Sequence, residues 1–288
     1  MYSPLGDFIN GVFHTPEGES LVSYNPAKPS DMVFSTSWEL SRVETAIQAA
    51  SNAQPAWSQL STRERCATLS RLQDALSENR AKLINAVVLE TGKVLPDTTA
   101  EIDELLALFS RFSETLDRHQ KDRTLFLHPL GVVGVIAPYH LPLLMLHRHL
   151  LSALSVGNTV IVKPSQETPL SAQVYFQCVE QAGLPTGIAN MIQGAPEAGE
   201  LLLNNEQVQG VCFSGSWSRG QEIVAIAQNR RDLFLSTETV ENNTAVVLND
   251  ACIRQAVHEV ALGAFRTAGQ QLTKTTTLII EKKLYPPV

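Results

Sequence analysis

Over the first 36 residues the apolar positions come in short pieces broken by turn pairs: Phe8-Ile9 before Asn10-Gly11, and Tyr24 before Asn25-Pro26. Asn-Gly is the strongest short hairpin signal, because both residues tolerate left-handed backbone. From Ser37 the spacing changes, and Val43, Ile47 and Ala50 recur at helical intervals. Ser61-Thr62-Arg63-Glu64 has the form of a capping box, with a hydroxyl for the free amides and a glutamate three residues on. It opens a helix whose buried stripe is Leu69, Leu72 and Leu76. A further helix is expected from Ala81 to Thr91, stopped by Gly92. Another is expected from Ile102 to Leu116, with Leu105, Leu108, Phe109 and Phe112 inward.

Beyond Arg123 the pattern shifts toward strands. Thr124 to His128 reads as one, and Val132 to Ala137 is the continuous apolar run of a parallel strand buried on both faces. A helix (Leu144 to Leu154), a strand (Thr159 to Val162), a helix (Ser171 to Ala182) and a short strand (Asn190 to Ile192) follow. Next come a helix (Ala198 to Leu203), a strand (Gly210 to Phe213), a helix (Ser218 to Ala227), and strands at Leu233 to Leu235 and Ala245 to Leu248. A helix from Ile253 to Phe265 and a strand from Thr275 to Ile280 complete the series. The alternation predicts a doubly wound α/β fold with a Rossmann-like parallel sheet. Three parts are expected. Residues 1–122 form an N-terminal extended and helical part, 123–244 the dinucleotide-binding core, and 245–288 the start of a second α/β lobe left incomplete. The last strand is expected to stand alone, with apolar surface near Leu278-Ile279-Ile280 that favours self-association.

Composition narrows the function classes. Apolar residues make up 44% and the net charge is −7, with both signs interspersed. No basic cluster suggests nucleic acid or an anionic membrane. The most apolar stretch, Val132 to Leu151, is interrupted by two prolines, three histidines and an arginine, a poor membrane span. Cys66, Cys178, Cys212 and Cys252 are scattered without metal-ligand spacing. With no secretory signal at the N-terminus, a reducing, cytoplasmic setting is expected.

Five places carry candidate chemistry. Gly-x-Gly-x-x-Gly is absent, but Phe213-Ser214-Gly215-Ser216 falls between a strand and a helix. Gly215 would permit a tight turn, and Ser216 would either seat an anion at the helix N-terminus or simply cap the helix. Lys163-Pro164-Ser165 lies at a carboxyl strand end, where α/β sheets bind ligands; the alternative is a solvated lysine. Pro138-Tyr139-His140-Leu141-Pro142 fixes a rigid path, with His140 a donor, an acid/base or a plain loop residue. Glu238, read as sitting in a loop between two late strands, is a candidate general base or an isolated surface glutamate. In the stretch Phe265 to Thr273, Gly269 allows close backbone approach to a ligand, and the small, polar residues after it suit a loop that presents one side chain to a cleft.

In this order, Pro-Tyr-His-Leu-Pro, Lys-Pro-Ser-Gln, Phe-Ser-Gly-Ser, Thr-Glu-Thr-Val-Glu-Asn-Asn and Gly-Gln-Gln-Leu, the motifs resemble the aldehyde dehydrogenase superfamily across essentially the whole chain. Tyr139, the Glu-x-x-x-Asn-Asn pattern from Glu238, and Thr267-Ala268-Gly269-Gln270 are most similar to the succinylglutamate semialdehyde dehydrogenases of arginine catabolism. The resemblance implies NAD or NADP as cofactor and an aldehyde as substrate. Lys163 would bind the adenosine ribose, Gly215 and Ser216 the pyrophosphate, and Pro138 would line the cleft. Glu238 matches the general base. The departures are chemical. Leu272 replaces the cysteine nucleophile, and His140 replaces the oxyanion-holding asparagine. Gln166 replaces a ribose-binding carboxylate, and Val240 and Glu241 replace glycines. Arg219 stands in place of an aliphatic residue against adenine, and the rest of the catalytic lobe is absent from these 288 residues. A leucine cannot form a thiohemiacetal. The expectation is therefore a catalytically impaired or inactive homologue with possible nucleotide affinity. The alternative is a nucleotide-binding or partner subunit without an enzymatic role.

Overall fold

The computed structural model describes residues 2–121, 128–240 and 242–285. The strand expected over Thr124 to His128 lies outside them except for His128, which belongs to no strand or helix. β1 (Phe8–Ile9) and β2 (Val12–Phe13) form an antiparallel hairpin through Asn10 and Gly11, at φ 53° and 86°, the left-handed pair that Asn-Gly supplies. β3 (Glu19–Tyr24) and β4 (Met32–Trp38) make a second hairpin. Four helices follow: α1 (Ser41–Gln59), α2 (Thr62–Glu78), α3 (Arg80–Thr91) and α4 (Leu95–Lys121). The capping box of α2 is complete, with Ser61 N donating to Glu64 at 2.7 Å and Glu64 N to Ser61 Oγ at 3.3 Å. Gly92 ends α3 in the left-handed region. α4 begins at Leu95 rather than at Ile102. Pro96 is no obstacle there, because the amides of a first helical turn have no helical partner.

The alternating half comprises β5 (Val132–Ile136), α5 (Pro142–Ser155), β6 (Thr159–Lys163), α6 (Pro169–Ala182), β7 (Ala189–Met191), α7 (Pro196–Asn204), β8 (Gly210–Ser216), α8 (Trp217–Ala227) and β9 (Phe234–Val240). One sheet orders them β2-β1-β7-β6-β5-β8-β9, with β5 to β9 parallel to one another and β1 antiparallel to β7. From β5 the chain builds outward through β6 and β7, then returns to add β8 and β9 on the other side. This is the doubly wound α/β, Rossmann-like arrangement, and its direction reverses between β5 and β8. All five residues of β5 and all five of β6 are buried, as continuous apolar runs require. One core lies where α2 to α6 cover the sheet, around Leu72, Leu105, Leu150 and Phe176. The other lies under α1, α7 and α8, around Ile47, Ile161, Leu202 and Ile223.

A buried carboxylate ties these layers together. Glu90 of α3 accepts from the backbone N–H of Leu170 and Ser171, at 2.9 and 2.7 Å, and from the hydroxyls of Ser23 and Ser171. It thereby supplies the cap that α6 lacks from its own Thr168. Burial pushes its carboxyl up to about 7, against the pull of those hydrogen bonds.

Two strand expectations change. Glu238 is not in a loop but within β9, opposite Ser214 of β8. The last strand, β11 (Thr275–Ile280), does not stand alone: it pairs in parallel with β10 (Asn243–Val247), with α9 (Ile253–Phe265) between them in sequence.

Candidate functional site

The carboxyl ends of β6, β5 and β8 are adjacent and point the same way, so the segments leaving them meet at one edge of the sheet. They enclose a cleft of about 500 Å³. Pro138 and His140 after β5, Lys163 at the end of β6, and Gly215 and Ser216 at the end of β8 all line it. Five residues picked out separately in the sequence thus share one wall system. Glu238 and Leu272 do not line it.

Lys163 is not the solvated lysine of the plainer reading. It is 6% exposed, and its Nζ donates at 2.8 Å to the carbonyl of its own neighbour, Pro164. Burial pushes its amine down to about 8; Glu197 opposes that and Arg219 adds to it. Gly215 does not make a tight turn. It is part of β8, and a Cβ there would meet the Phe213 ring at 2.6 Å, so a side chain would require that ring to move. Ser216 caps α8, its Oγ accepting from Arg219 N at 3.4 Å.

His140 is 3% exposed. Its carbonyl accepts from Lys93 Nζ, while its Nε2 has no partner among the described residues. Burial, then Lys93 and Lys274, push its ring down to about 4, so it is neutral near pH 7. Lys93 is itself buried and paired with Glu101 at 2.7 Å. The backbone of the histidine loop is therefore fixed by an internal ion pair.

The nucleophile-like segment is held by α3 and α4. Asp97 accepts from Thr267 N at 2.8 Å and lies 3.5 Å from Arg266 Nε, while Gln270 Nε2 donates to Thr91 O at 2.8 Å. Thr267, Ala268 and Gly269 are all left-handed, at φ 56°, 55° and 67°. Gly269 thus belongs to a coiled run of three, two of them residues for which this backbone costs energy. Leu272 is half-buried, and its carbonyl accepts from Asn243 Nδ2 at 2.9 Å. Glu238 is engaged by Arg148 of α5 in an ion pair. Val240 pairs with Ser216 through its backbone, and Glu241 lies outside the described residues.

Cys212, on β8 near Glu238 and Arg148, is pushed up to about 11 by burial first and by Glu238 second, which keeps it protonated. No group of three or more candidate ligands arranged for a metal occurs among the described residues.

Reading the sequence missed Lys93, Asp97, Glu101 and Arg148. One signal was available: Arg148 lies in a stretch whose other positions are mostly apolar, and a charge carried into such a helix asks for a partner. Glu101 lies only eight residues beyond Lys93, but the His140 carbonyl that Lys93 also reaches and the Thr267 amide that Asp97 accepts from are distant in sequence and leave no local trace.

A profile of the aldehyde dehydrogenase family matches residues 13–288. The N-succinylglutamate 5-semialdehyde dehydrogenase of Chromobacterium violaceum is 32% identical over 282 residues, 95% of this chain and 58% of that protein. The protein of the same name from Escherichia coli K12 is 32% identical over 283 residues, again 95% and 58%. Among solved structures, betaine aldehyde dehydrogenase from Staphylococcus aureus in complex with NAD+ has a TM-score of 0.90 at 26% identity, covering 97% of this chain and 58% of that one. An NADP-dependent enzyme of E. coli has a TM-score of 0.89 at 27% identity, covering 98% and 61%. The chain spans a little over half the length of these relatives. On the family profile and on these relatives alike, it belongs to the aldehyde dehydrogenase family.

Proposed function

We propose that this chain keeps a nucleotide cleft and does not carry out covalent aldehyde oxidation. The observation that carries the reading is Leu272 at the nucleophile position. A hydrocarbon side chain has no lone pair to attack a carbonyl, so the step that creates the covalent intermediate has no donor. Glu238 supports the same reading. Its carboxylate is engaged by Arg148, so it is already occupied rather than open to orient a water.

The cleft's donor set fits the adenosine and pyrophosphate part of NAD or NADP. The buried Lys163 ammonium has three N–H groups and one acceptor among the described residues, which leaves donors for ribose hydroxyls or phosphate. The first-turn amides of α8 behind Ser216 face the same cleft edge and favour an anion. Pro138 lines the cleft, as does His140, whose Nε2 has no partner among the described residues and offers one more polar contact. Bound nicotinamide nucleotide would supply a hydride acceptor; none of the residues named here supplies the tetrahedral adduct from which a hydride would leave. The role that follows is that of a nucleotide-binding or partner protein derived from an aldehyde-oxidising one. The relatives' names make N-succinylglutamate 5-semialdehyde the first aldehyde to assay. Calorimetric titration with NAD and with NADP tests the cleft: saturable binding of either at up to millimolar concentration is expected, and heat indistinguishable from dilution with both would reject it.

A further inference from the structure

Several distant segments converge on the start of α6, and two of them bring buried carboxylates. α6 has no side-chain cap from its own Thr168. Glu90 of α3 takes that place. One of its oxygens accepts from Leu170 N at 2.9 Å and Ser23 Oγ at 2.7 Å, the other from Ser171 N and Ser171 Oγ, both at 2.7 Å. Asp7 accepts from Gln193 N at 2.7 Å, and the Gln193 side chain donates at 3.1 Å to the carbonyl of Pro169, the first residue of α6. Gln173, in the next turn, clasps the N-terminal segment: its Oε1 accepts from Leu5 N at 2.7 Å and its Nε2 donates to Ser3 O at 3.0 Å. The same turn ends the stretch of cleft wall formed by Ser165, Gln166 and Glu167.

Every hydrogen-bond partner of Glu90 among the described residues is a donor, and none is charged. Two are backbone amides, which cannot reverse; only the two hydroxyls can turn to accept a proton. β3 presents Ser23 and α6 presents Leu170 and Ser171, while Lys93, three residues on in the chain, is paired with Glu101 at 2.7 Å. The ionised carboxylate is thus well hydrogen-bonded but out of water and without a counter-ion. Burial outweighs the hydrogen bonds and holds the group up at about 7, against an ordinary 4.5. Asp7 is held up at about 6 by burial first, with the Gln193 amide and Arg42 opposing that and Glu39 adding to it.

We propose that Glu90 is a proton-linked latch on the first turn of α6, closed over the carboxyl when it is protonated and opening more often, with the adjoining cleft wall, when it is ionised. In the open form the carboxyl meets water and titrates near its ordinary 4.5, so protons favour the closed form. That advantage is full below about pH 4.5 and is lost as pH rises through about 7. The latch stands whether or not the cleft takes a nucleotide.

Amide hydrogen exchange of the whole chain, resolved by residue and corrected for the intrinsic base-catalysed rate, tests it. From about pH 5.5 to about pH 7.5 the opening constant of Leu170 and Ser171 is expected to rise at least about tenfold, and at every pH to exceed that of Val160 and Val162 in β6. Glu90→Gln, which cannot ionise, should cut the rise to about fourfold or less, the share that Asp7 can supply, and adding Asp7→Asn should flatten it. Ser23→Ala removes one hydrogen bond to the ionised form, so it should move the midpoint of the rise to higher pH, and it reports on Glu90 even if Glu90→Gln does not fold. Opening of Leu170 and Ser171 that is flat with pH in the parent chain, a rise that survives Glu90→Gln undiminished, or a midpoint unmoved by Ser23→Ala would overturn the latch. Exchange of these amides only as slowly as those of β6 would overturn it too, because α6 would then open only with the whole fold.

Discussion

At the scale of single residues, burial decides what the candidate groups can do. Lys163 and His140 are both removed from water, and each is pushed toward its neutral form, to about 8 and about 4. The lysine still carries its charge at neutral pH; the histidine does not. For Lys163 the ordinary value is 10.5, so between about pH 8 and pH 10.5 the unfolded chain holds a proton that the folded chain has released. That difference makes the lysine's own contribution to stability more favourable as pH rises through this window. Nucleotide affinity should move the opposite way. A phosphate or ribose seat that uses the ammonium weakens as the proton leaves, so the dissociation constant is expected to rise between pH 7.5 and about 9.5. A Lys163→Met variant should bind more weakly and lack that rise. A flat profile in the parent chain would separate Lys163 from the ligand.

At the scale of elements, buried ion pairs and backbone caps hold the cleft loops to the helical layer. Lys93 follows the α3 stop, Glu101 lies on α4, and between them they fix the His140 carbonyl. Removing one partner leaves the other charge buried and alone, so Lys93→Ala should destabilise the chain by about 3–5 kcal/mol in denaturant unfolding. A loss under about 1 kcal/mol would mean that water reaches Glu101. Most of the elements themselves were legible beforehand. The capping box at Ser61, the stop at Gly92 and the apolar runs of β5 and β6 are local signals, and the structure bears them out. Glu238 was misplaced because Ser236-Thr237-Glu238-Thr239 is polar; its strand character comes from pairing with β8, a tertiary cause. Gly215 was misread for a related reason. The Phe213 ring that crowds a Cβ there lies two residues away, but only the folded strand brings it over the glycine. The convergence of Pro138, His140, Lys163 and Ser216 followed from the strand-helix order alone; Arg148 facing Glu238 did not, since it depends on how α5 lies across the sheet.

At the scale of the whole molecule, the layers are unequally buried. α5 and α6 are largely enclosed, whereas α9 has no buried residue among those described. Val257, Phe265 and Ile279 are 64%, 78% and 54% exposed, on or beside the two-stranded β10–β11 sheet. Parallel strands are ordinarily covered on both faces, and an apolar surface of this kind favours association. The expected outcome by light scattering is a molar mass that rises with concentration, lowered by Val257→Lys with Ile279→Lys; a monomer mass constant up to high concentration would contradict it. No helix among the described residues is long and apolar enough to cross a membrane. The account as a whole turns on the side chain at position 272, and one assay addresses it most directly: NADH and NADPH formation from N-succinylglutamate 5-semialdehyde and from simple aldehydes, over a range of chain concentrations. The predicted result is a rate equal to the protein-free blank at every concentration. A rate that grows in proportion to the chain added would contradict the account.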